Sequence, residues 1–128
     1  STLSLKNLDP SLLMWDMRRH LDPTPLPARR STICFVYPEL PAAKRSWWLV
    51  IENGTVDLCS QDPGFGVDLY VTGPLRVMTA IWMGLTTVAK EVGQGHLELI
   101  GDQAVAQSMQ TWLGLSPFAK EKNRVSVA

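Results

Sequence analysis

The amino-acid sequence predicts an α+β fold, in which a five-stranded, mainly antiparallel sheet has about four helices packed on one face. Short segments rich in β-branched and aromatic residues alternate apolar and polar positions between turn residues. Helical apolar periodicity appears before, between and after these segments. The 128 residues, 45% hydrophobic and 19% charged, suffice for one core. We therefore expect a single domain over residues 1–119 and a loose tail over 120–128.

The first predicted element is a helix that begins after Asp9. Asp9 suits the N-cap, and Pro10 suits the first helical position, where its missing N–H costs nothing. One apolar stripe follows at helical spacing: Leu13, Met14, Met17 and Leu21. His20 closes the helix, where an imidazolium would favour the carbonyl end. Three prolines in the next stretch, "DPTPLPARR", then forbid regular structure.

The clearest local signal is Asn53-Gly54, the pair preferred in two-residue type I′ hairpin turns. This turn fixes the register of the two flanking strands and gives them one apolar face, made of Trp47, Leu49, Ile51, Val56 and Leu58. The opposite face carries Trp48 and Val50, which suggests that part of it is covered as well. "STICFVY" (31–37) and "VDLYVT" (67–72) predict two more strands. "VDL" occurs in both 56–58 and 67–69, and we interpret these segments as successive strands of one antiparallel meander.

Residues 74–85 predict a helix that is apolar on nearly all sides. A sheet covers only one side, so a second helix, a partner chain or an apolar ligand must cover the rest. A short helix is expected to follow and to end at Gly93. A last helix begins at the N-cap Asp102, ends at Gly114 and places four apolar residues on one face: Val105, Met109, Trp112 and Leu113. Between these helices, "GHLEL" predicts a returning strand with Leu97 and Leu99 inward and His96 on its outward, solvated side.

Charge and motif content argue against several functions. Twelve basic and twelve acidic residues balance, so we expect no direct contact with nucleic acid. Cys34 and Cys59 are predicted to be reduced thiols in a cytoplasmic protein. The scattered histidines and cysteines predict no metal site or cofactor, and the absence of a G-x-S-x-G motif predicts no enzyme. The longest apolar stretch is far shorter than the ~20 residues that span a bilayer.

Several stretches resemble known families. The segment "GHLELIGD" is separated from Gly84 by ten residues, and this pattern resembles the C-terminal half of sterol carrier protein type 2 domains. "RSWWLVIENGTVDLC", "DPGFGVDLYVTGPL", "IWMGL" and "WLGLSPFA" are similar to the C-terminal domain of HxlR-like winged helix-turn-helix transcriptional regulators, over Asp9 to Ala119. The resemblance implies a five-stranded sheet with helices on one face, enclosing an apolar tunnel that in relatives holds sterols or fatty acyl chains.

Two departures limit what the resemblance implies. The winged helix expected upstream is absent from the sequence, so DNA binding is not carried over, although an upstream DNA-binding domain outside this chain is an expected partner. The chain ends "VSVA", unlike the peroxisomal address of eukaryotic carriers, which favours a bacterial-type cytoplasm.

These observations predict an apolar cavity between the sheet and the helices. Its expected lining is Trp48, Met78, Ile81, Trp82, Leu85, Met109, Trp112, Leu113 and Phe118. The alternative is a filled core, because methionine and tryptophan at helical spacing more often pack than line a site. Thr79, Thr87 and Tyr70 are the expected polar handles. We expect a domain that binds an apolar small molecule such as a lipid or fatty acid and serves as the ligand-sensing domain of a bacterial transcriptional regulator. The alternative is a dimerisation or interdomain docking module without a ligand. The chain is expected to be a monomer or a homodimer.

Overall fold

The computed structural model describes residues 8–115, and the structural findings below concern this part of the chain. Predicted features at Phe118 and in the tail over 120–128 lie outside it. The strands are β1 (Ser31–Val36), β2 (Ser46–Glu52), β3 (Thr55–Cys59), β4 (Leu69–Thr72) and β5 (Glu98–Gly101). The helices are α1 (Pro10–His20), α2 (Ala42–Arg45), α3 (Leu75–Trp82), α4 (Val88–Gly93), α5 (Gln103–Gln107) and α6 (Met109–Leu113). The predicted α+β class and the five-stranded sheet are confirmed.

The first helix begins and packs as its sequence predicts. The Asp9 carboxylate accepts a hydrogen bond from the Ser11 N–H at 2.8 Å, which satisfies one of the free donors of the first turn. The predicted stripe is buried against the core, with Met14 and Met17 wholly inaccessible to water. At the other end, the His20 ring nitrogen Nδ1 lies 3.0 Å from the Asp16 carbonyl oxygen. The helix is therefore closed at both ends by its own side chains.

The hairpin of β2 and β3 has the predicted turn and register. Asn53 and Gly54 both have positive φ, 53° and 76°, as a type I′ turn requires. Ile51 pairs with Val56 and Leu49 pairs with Leu58. This face of the sheet lies against the helices, and the side chains that alternate with it point to the outer face.

The fourth strand has a different partner from the predicted one. The strands order as β3-β2-β1-β4-β5, and β4 pairs with β1 in parallel, so the prediction of a meander through β3 and β4 was wrong. Asp68 provides the physical reason, because its N–H donates to the Thr32 carbonyl and its carboxylate accepts from the Thr32 N–H, each at 2.8 Å. Arg29 adds a contact to the same carboxylate at 3.1 Å. The connector over residues 60–68 is thereby fixed beside β1.

The returning strand and the last helix also differ from their predictions. The strand begins at Glu98 instead of His96, with Leu97 buried just before it and Leu99 half-buried within it.

The predicted last helix is two helices, α5 and α6, separated at Ser108. Trp112 explains the break. Its indole N–H donates to the Val105 carbonyl at 2.8 Å, in place of the backbone N–H that would donate to this carbonyl in a continuous helix.

The two thiols are free, as expected. Cys34 is buried on the outer side of β1, and Cys59 is half-buried on β3. Burial, followed by the nearby negative charge of Asp62, raises the pKa of the Cys34 thiol to about 11. Cys34 is therefore a neutral packing residue at physiological pH.

Candidate functional site

A groove lies on the side of α3 that faces away from the core. Its volume is about 570 Å³, within the range of small-molecule sites. We call it the α3 groove, and its described lining is Leu8, Arg76, Val77, Thr79, Ala80, Met83, Leu85, Thr86, Lys90, Glu91, Gln94 and His96. The buried residues Met78, Ile81 and Trp82 of the same helix do not contribute to it. The groove therefore lies between the outer side of α3 and the segment 83–87, which leads into α4.

Most of the sequence-predicted site residues lie in the core. Six of them are at most 2% accessible to water: Met78, Ile81, Trp82, Met109, Trp112 and Leu113. These side chains pack in the hydrophobic core and are closed to solvent. The rings of Phe35 and Trp112, for example, pack edge to face with centroids 6.5 Å apart. Contact of these six residues with a ligand stays a prediction.

The remaining predicted residues are dispersed. Trp48 alternates with the inward Trp47 and so points to the outer face of the sheet, between Cys34 and Cys59 of the neighbouring strands. Leu85 follows the end of α3, is 67% exposed and lines the α3 groove. Of the predicted lining within the described chain, only Leu85 belongs to the groove.

The groove results from the incomplete covering of α3. Its inner side packs in the core, whereas four residues on its outer side recur at i, i+3, i+4 and i+7: Arg76, Thr79, Ala80 and Met83. The helical spacing of these four residues was the sequence signal that could have indicated the groove. It was missed because the four residues include small and polar side chains and do not form an apolar face. The expectation that a second helix, a partner chain or a ligand covers α3 on more than one side stays a prediction.

A hydrogen-bonded cluster forms the polar part of the lining. Glu91 is 8% exposed, and its carboxylate accepts from the Thr86 hydroxyl at 2.6 Å while its other oxygen lies 2.9 Å from Nδ1 of His96. These two hydrogen bonds, with the positive charge of Lys90, hold the pKa of the Glu91 carboxyl below its usual value. Glu91 is therefore an ionised carboxylate with a partner at each oxygen.

Glu91 also organises the chain around the groove. Its backbone carbonyl accepts from the N–H groups of both His96 and Leu97. His96 consequently lies in the turn before β5 and faces Glu91, and the prediction that it sits on the outward side of a strand was wrong. The sequence gives little sign of this pairing, because the five-residue separation of Glu91 and His96 crosses a helix end.

The predicted polar handles are occupied elsewhere. The Thr79 hydroxyl lines the groove but donates to the Leu75 carbonyl at 2.8 Å. The Thr87 hydroxyl accepts from the Lys90 N–H and caps α4. Tyr70 lies on the outer face of the sheet, beside Cys34. Other polar groups do line the groove, among them Arg76 and Lys90. The sequence analysis did not identify these two as site residues, because in the sequence each resembles an ordinary solvent-exposed charge.

The α3 groove combines a mostly apolar surface with a few charged groups. Within residues 8–115, no three His, Cys, Asp or Glu side chains are grouped so that they could hold a metal ion. None of the described helices has the length and apolar content to cross a bilayer. The groove offers apolar contact area from Leu8, Val77, Ala80 and Met83.

Comparisons with known proteins identify the fold. No protein-family model and no curated protein matches the chain. A stereoselective inverting sec-alkylsulfatase from a Pseudomonas species superposes on 87% of the chain at 19% identity, with a TM-score of 0.66, and the chain spans 17% of that protein's length. The ubiquinone synthesis protein UbiJ-SCP2 superposes on 81% of the chain and 88% of its own length, at 20% identity and a TM-score of 0.56.

A palmitated sterol carrier protein 2-like protein from Aedes aegypti gives a similar result. It superposes on 85% of this chain and 98% of its own length, at 18% identity and a TM-score of 0.58. At these identities the likeness concerns the fold, which is that of sterol carrier protein 2-like domains.

Proposed function

We propose that this chain is a binding domain for an apolar or amphipathic small molecule of the lipid type, held in the α3 groove. The observation that carries the proposal is the groove itself, which has a volume of about 570 Å³ and an apolar surface along α3. The palmitated state of the Aedes aegypti protein supports it, because that protein has the same fold with an acyl chain. Burial of apolar ligand surface would supply the binding free energy.

The finer part of the proposal is that the domain acts as a sensor without turnover. In a bacterial-type cytoplasm, the ligand would stabilise one arrangement of α3 and α4, and an upstream DNA-binding domain would respond to it. The sequence resemblance to HxlR-like regulators motivates this role. It depends on the α3 groove being the ligand site.

Filling the groove tests the binding function. Ala80 is half-buried on the outer side of α3, and Ala80→Phe would place a ring in the space that the ligand needs. We expect this variant to weaken binding of a fluorescent acyl chain at least about tenfold, since the loss of two methylene contacts at ~0.8 kcal/mol each exceeds the ~1.4 kcal/mol of a tenfold change. Ala89→Phe is the matched control, because Ala89 is exposed on α4 and does not line the groove.

The comparison is read from fluorescence titrations and from the melting temperature of each variant. Weakened binding in Ala80→Phe alone, with both variants folded, supports the α3 groove. Equal affinity in wild type and Ala80→Phe would place the ligand outside the α3 groove.

A second function, self-association without ligand, is favoured by the outer face of the sheet. The strand register places five apolar or weakly polar residues in one row across all five strands: Cys59, Trp48, Cys34, Tyr70 and Ile100. Tyr70 and Ile100 are 44% and 55% exposed. Cys34 is already buried, so a second copy of the chain would cover the exposed members of the row, Tyr70 and Ile100. Native mass spectrometry separates the two functions, since bound ligand adds a small mass and self-association doubles the mass.

A further inference from the structure

The α3 groove has a local excess of positive charge. Arg76 and Lys90 are permanent cations in its described lining, and Glu91 is the carboxylate there. The whole chain is balanced, with 12 basic and 12 acidic residues. The imbalance is therefore a property of the groove and not of the molecule.

Glu91 does not neutralise these cations by direct contact. Thr86 and His96 already occupy its two oxygens, and its side chain is only 11% exposed. The ion pairs formed within residues 8–115 involve Arg19, Arg29 and His96, and include neither Arg76 nor Lys90. Both cations are exposed at the groove and are available to a ligand.

His96 adds a third polar group with a fixed orientation. Its Nδ1 faces Glu91 at 2.9 Å, so the ring turns its Nε2 edge away from that carboxylate. The ring is half-exposed and lines the groove. Glu91 therefore acts as a positioning residue for His96, in the way that carboxylates orient imidazoles in many sites.

We infer that the α3 groove selects amphiphiles with a singly charged anionic head group, a carboxylate or a sulfate, over neutral amphiphiles with the same apolar chain. Arg76 and Lys90 would bind the head group, and the apolar chain would lie on Val77, Ala80 and Met83. This inference rests on the proposed function and adds the chemical class of the ligand. Sulfate and carboxylate share the same recognition, because guanidinium and ammonium groups donate to either.

The test compares four probes with one ten-carbon chain: decanoate, decyl sulfate, 1-decanol and decyltrimethylammonium. Dissociation constants are measured by calorimetric titration of the full chain at pH 7.5. Two exposed charge pairs are each worth a few-fold in affinity, so we expect both anions to bind about tenfold more tightly than the alcohol, with the cation weakest. Raising the salt concentration should reduce the preference by screening.

Variants assign the preference to the groove. The double variant Arg76→Gln and Lys90→Gln should bind the anions no more tightly than it binds 1-decanol. Lys44→Gln is the matched control, because Lys44 is an exposed cation outside the groove. It should retain the full preference.

The outcomes separate this inference from the proposed function. Equal affinity of wild type for decanoate and 1-decanol would overturn the head-group inference and leave apolar binding in place. A preference that persists in the double variant would also overturn it, since the two cations would not be its source. Failure of every probe to bind would overturn both the proposed function and this inference.

Discussion

Tyr37 is the residue whose ionisation is most strongly tied to the folded state. Its side chain is wholly buried, and its hydroxyl donates to the Met14 sulfur at 3.1 Å. Burial raises the pKa of this hydroxyl far above its usual value near 10, and the negative charge of Glu39 acts in the same direction. The folded protein therefore holds Tyr37 neutral, while the unfolded chain releases its proton near pH 10.

The sign of the resulting pH dependence follows from linkage. A raised pKa in the folded state gives stability that is fully present below pH 10 and is lost as the pH rises above it. Between pH 9 and pH 11, we expect Tyr37 to account for about 1 kcal/mol of the lost unfolding free energy. Tyr37→Phe should remove this part of the loss, as measured by urea denaturation at both pH values.

Tyr70→Phe is the control for this experiment, because Tyr70 is exposed on the outer face of the sheet. It should lose stability between the two pH values to the same extent as wild type. A Tyr37→Phe variant that loses as much as Tyr70→Phe would show that the buried hydroxyl does not carry the effect.

Gly101 determines how β5 meets β4, at the scale of a structural element. Its φ is 141°, and an added Cβ would overlap the Asp68 carbonyl oxygen and crowd Leu69. Both neighbours are backbone groups of the connector and of β4, and neither can move without breaking the register of Leu69 with Gly101. The glycine in "LIGD" is thus required by close approach of two backbones.

We expect Gly101→Ala to lower the free energy of unfolding by about 2–4 kcal/mol, because the substitution combines backbone strain with overlap. Gly93→Ala is the matched control: Gly93 ends α4, and a Cβ there meets nothing within 4 Å. The control should be neutral or slightly stabilising. Urea denaturation of both variants provides the comparison, and equal stabilities would refute the close-approach argument.

The elements that sequence alone predicted well are those fixed by local interactions. Asp9 and Asp102 cap helices through N–H groups two or three residues away, and Asn53-Gly54 makes its own turn. The partner of β4 was not predictable in this way, because the Asp68–Thr32 contact spans 36 residues. Alternation in a strand specifies which side chains face inward, but it contains no information about the neighbouring strand.

At the scale of the whole molecule, ligand binding to the α3 groove should be visible as added stability. A ligand at 100 times its dissociation constant stabilises the folded state by about 2.7 kcal/mol when it binds only that state. We expect decanoate to raise the urea midpoint of the wild-type chain accordingly. The Ala80→Phe midpoint should rise by at most about half as much, because the same ligand concentration is only about ten times the dissociation constant of a tenfold weaker site. An equal rise in both proteins would indicate binding outside the groove.

The site was less predictable than the fold for a related reason. Sequence periodicity correctly marked Met109, Trp112 and Leu113 as one apolar face, yet the same pattern describes a filled core and a lined cavity. Only packing decides between them, and the groove of about 570 Å³ lies on the other side of α3, away from these residues. The pairing of Glu91 with His96 depends on where α4 ends, which local pattern does not fix.

The parallel pairing of β1 with β4 joins two consecutive segments of the chain into one sheet. One piece runs through β3 and contains a three-stranded antiparallel unit, and the other begins at β4 and pairs with its own returning strand. Cleavage of the exposed connector near Gly64 would separate the protein into these two fragments. Their reassociation would have to restore the β1–β4 pairing together with core contacts such as that of Phe35 with Trp112. Mixing the fragments therefore offers a split-protein assay in which recovery of native signal reports on the docking of the two pieces.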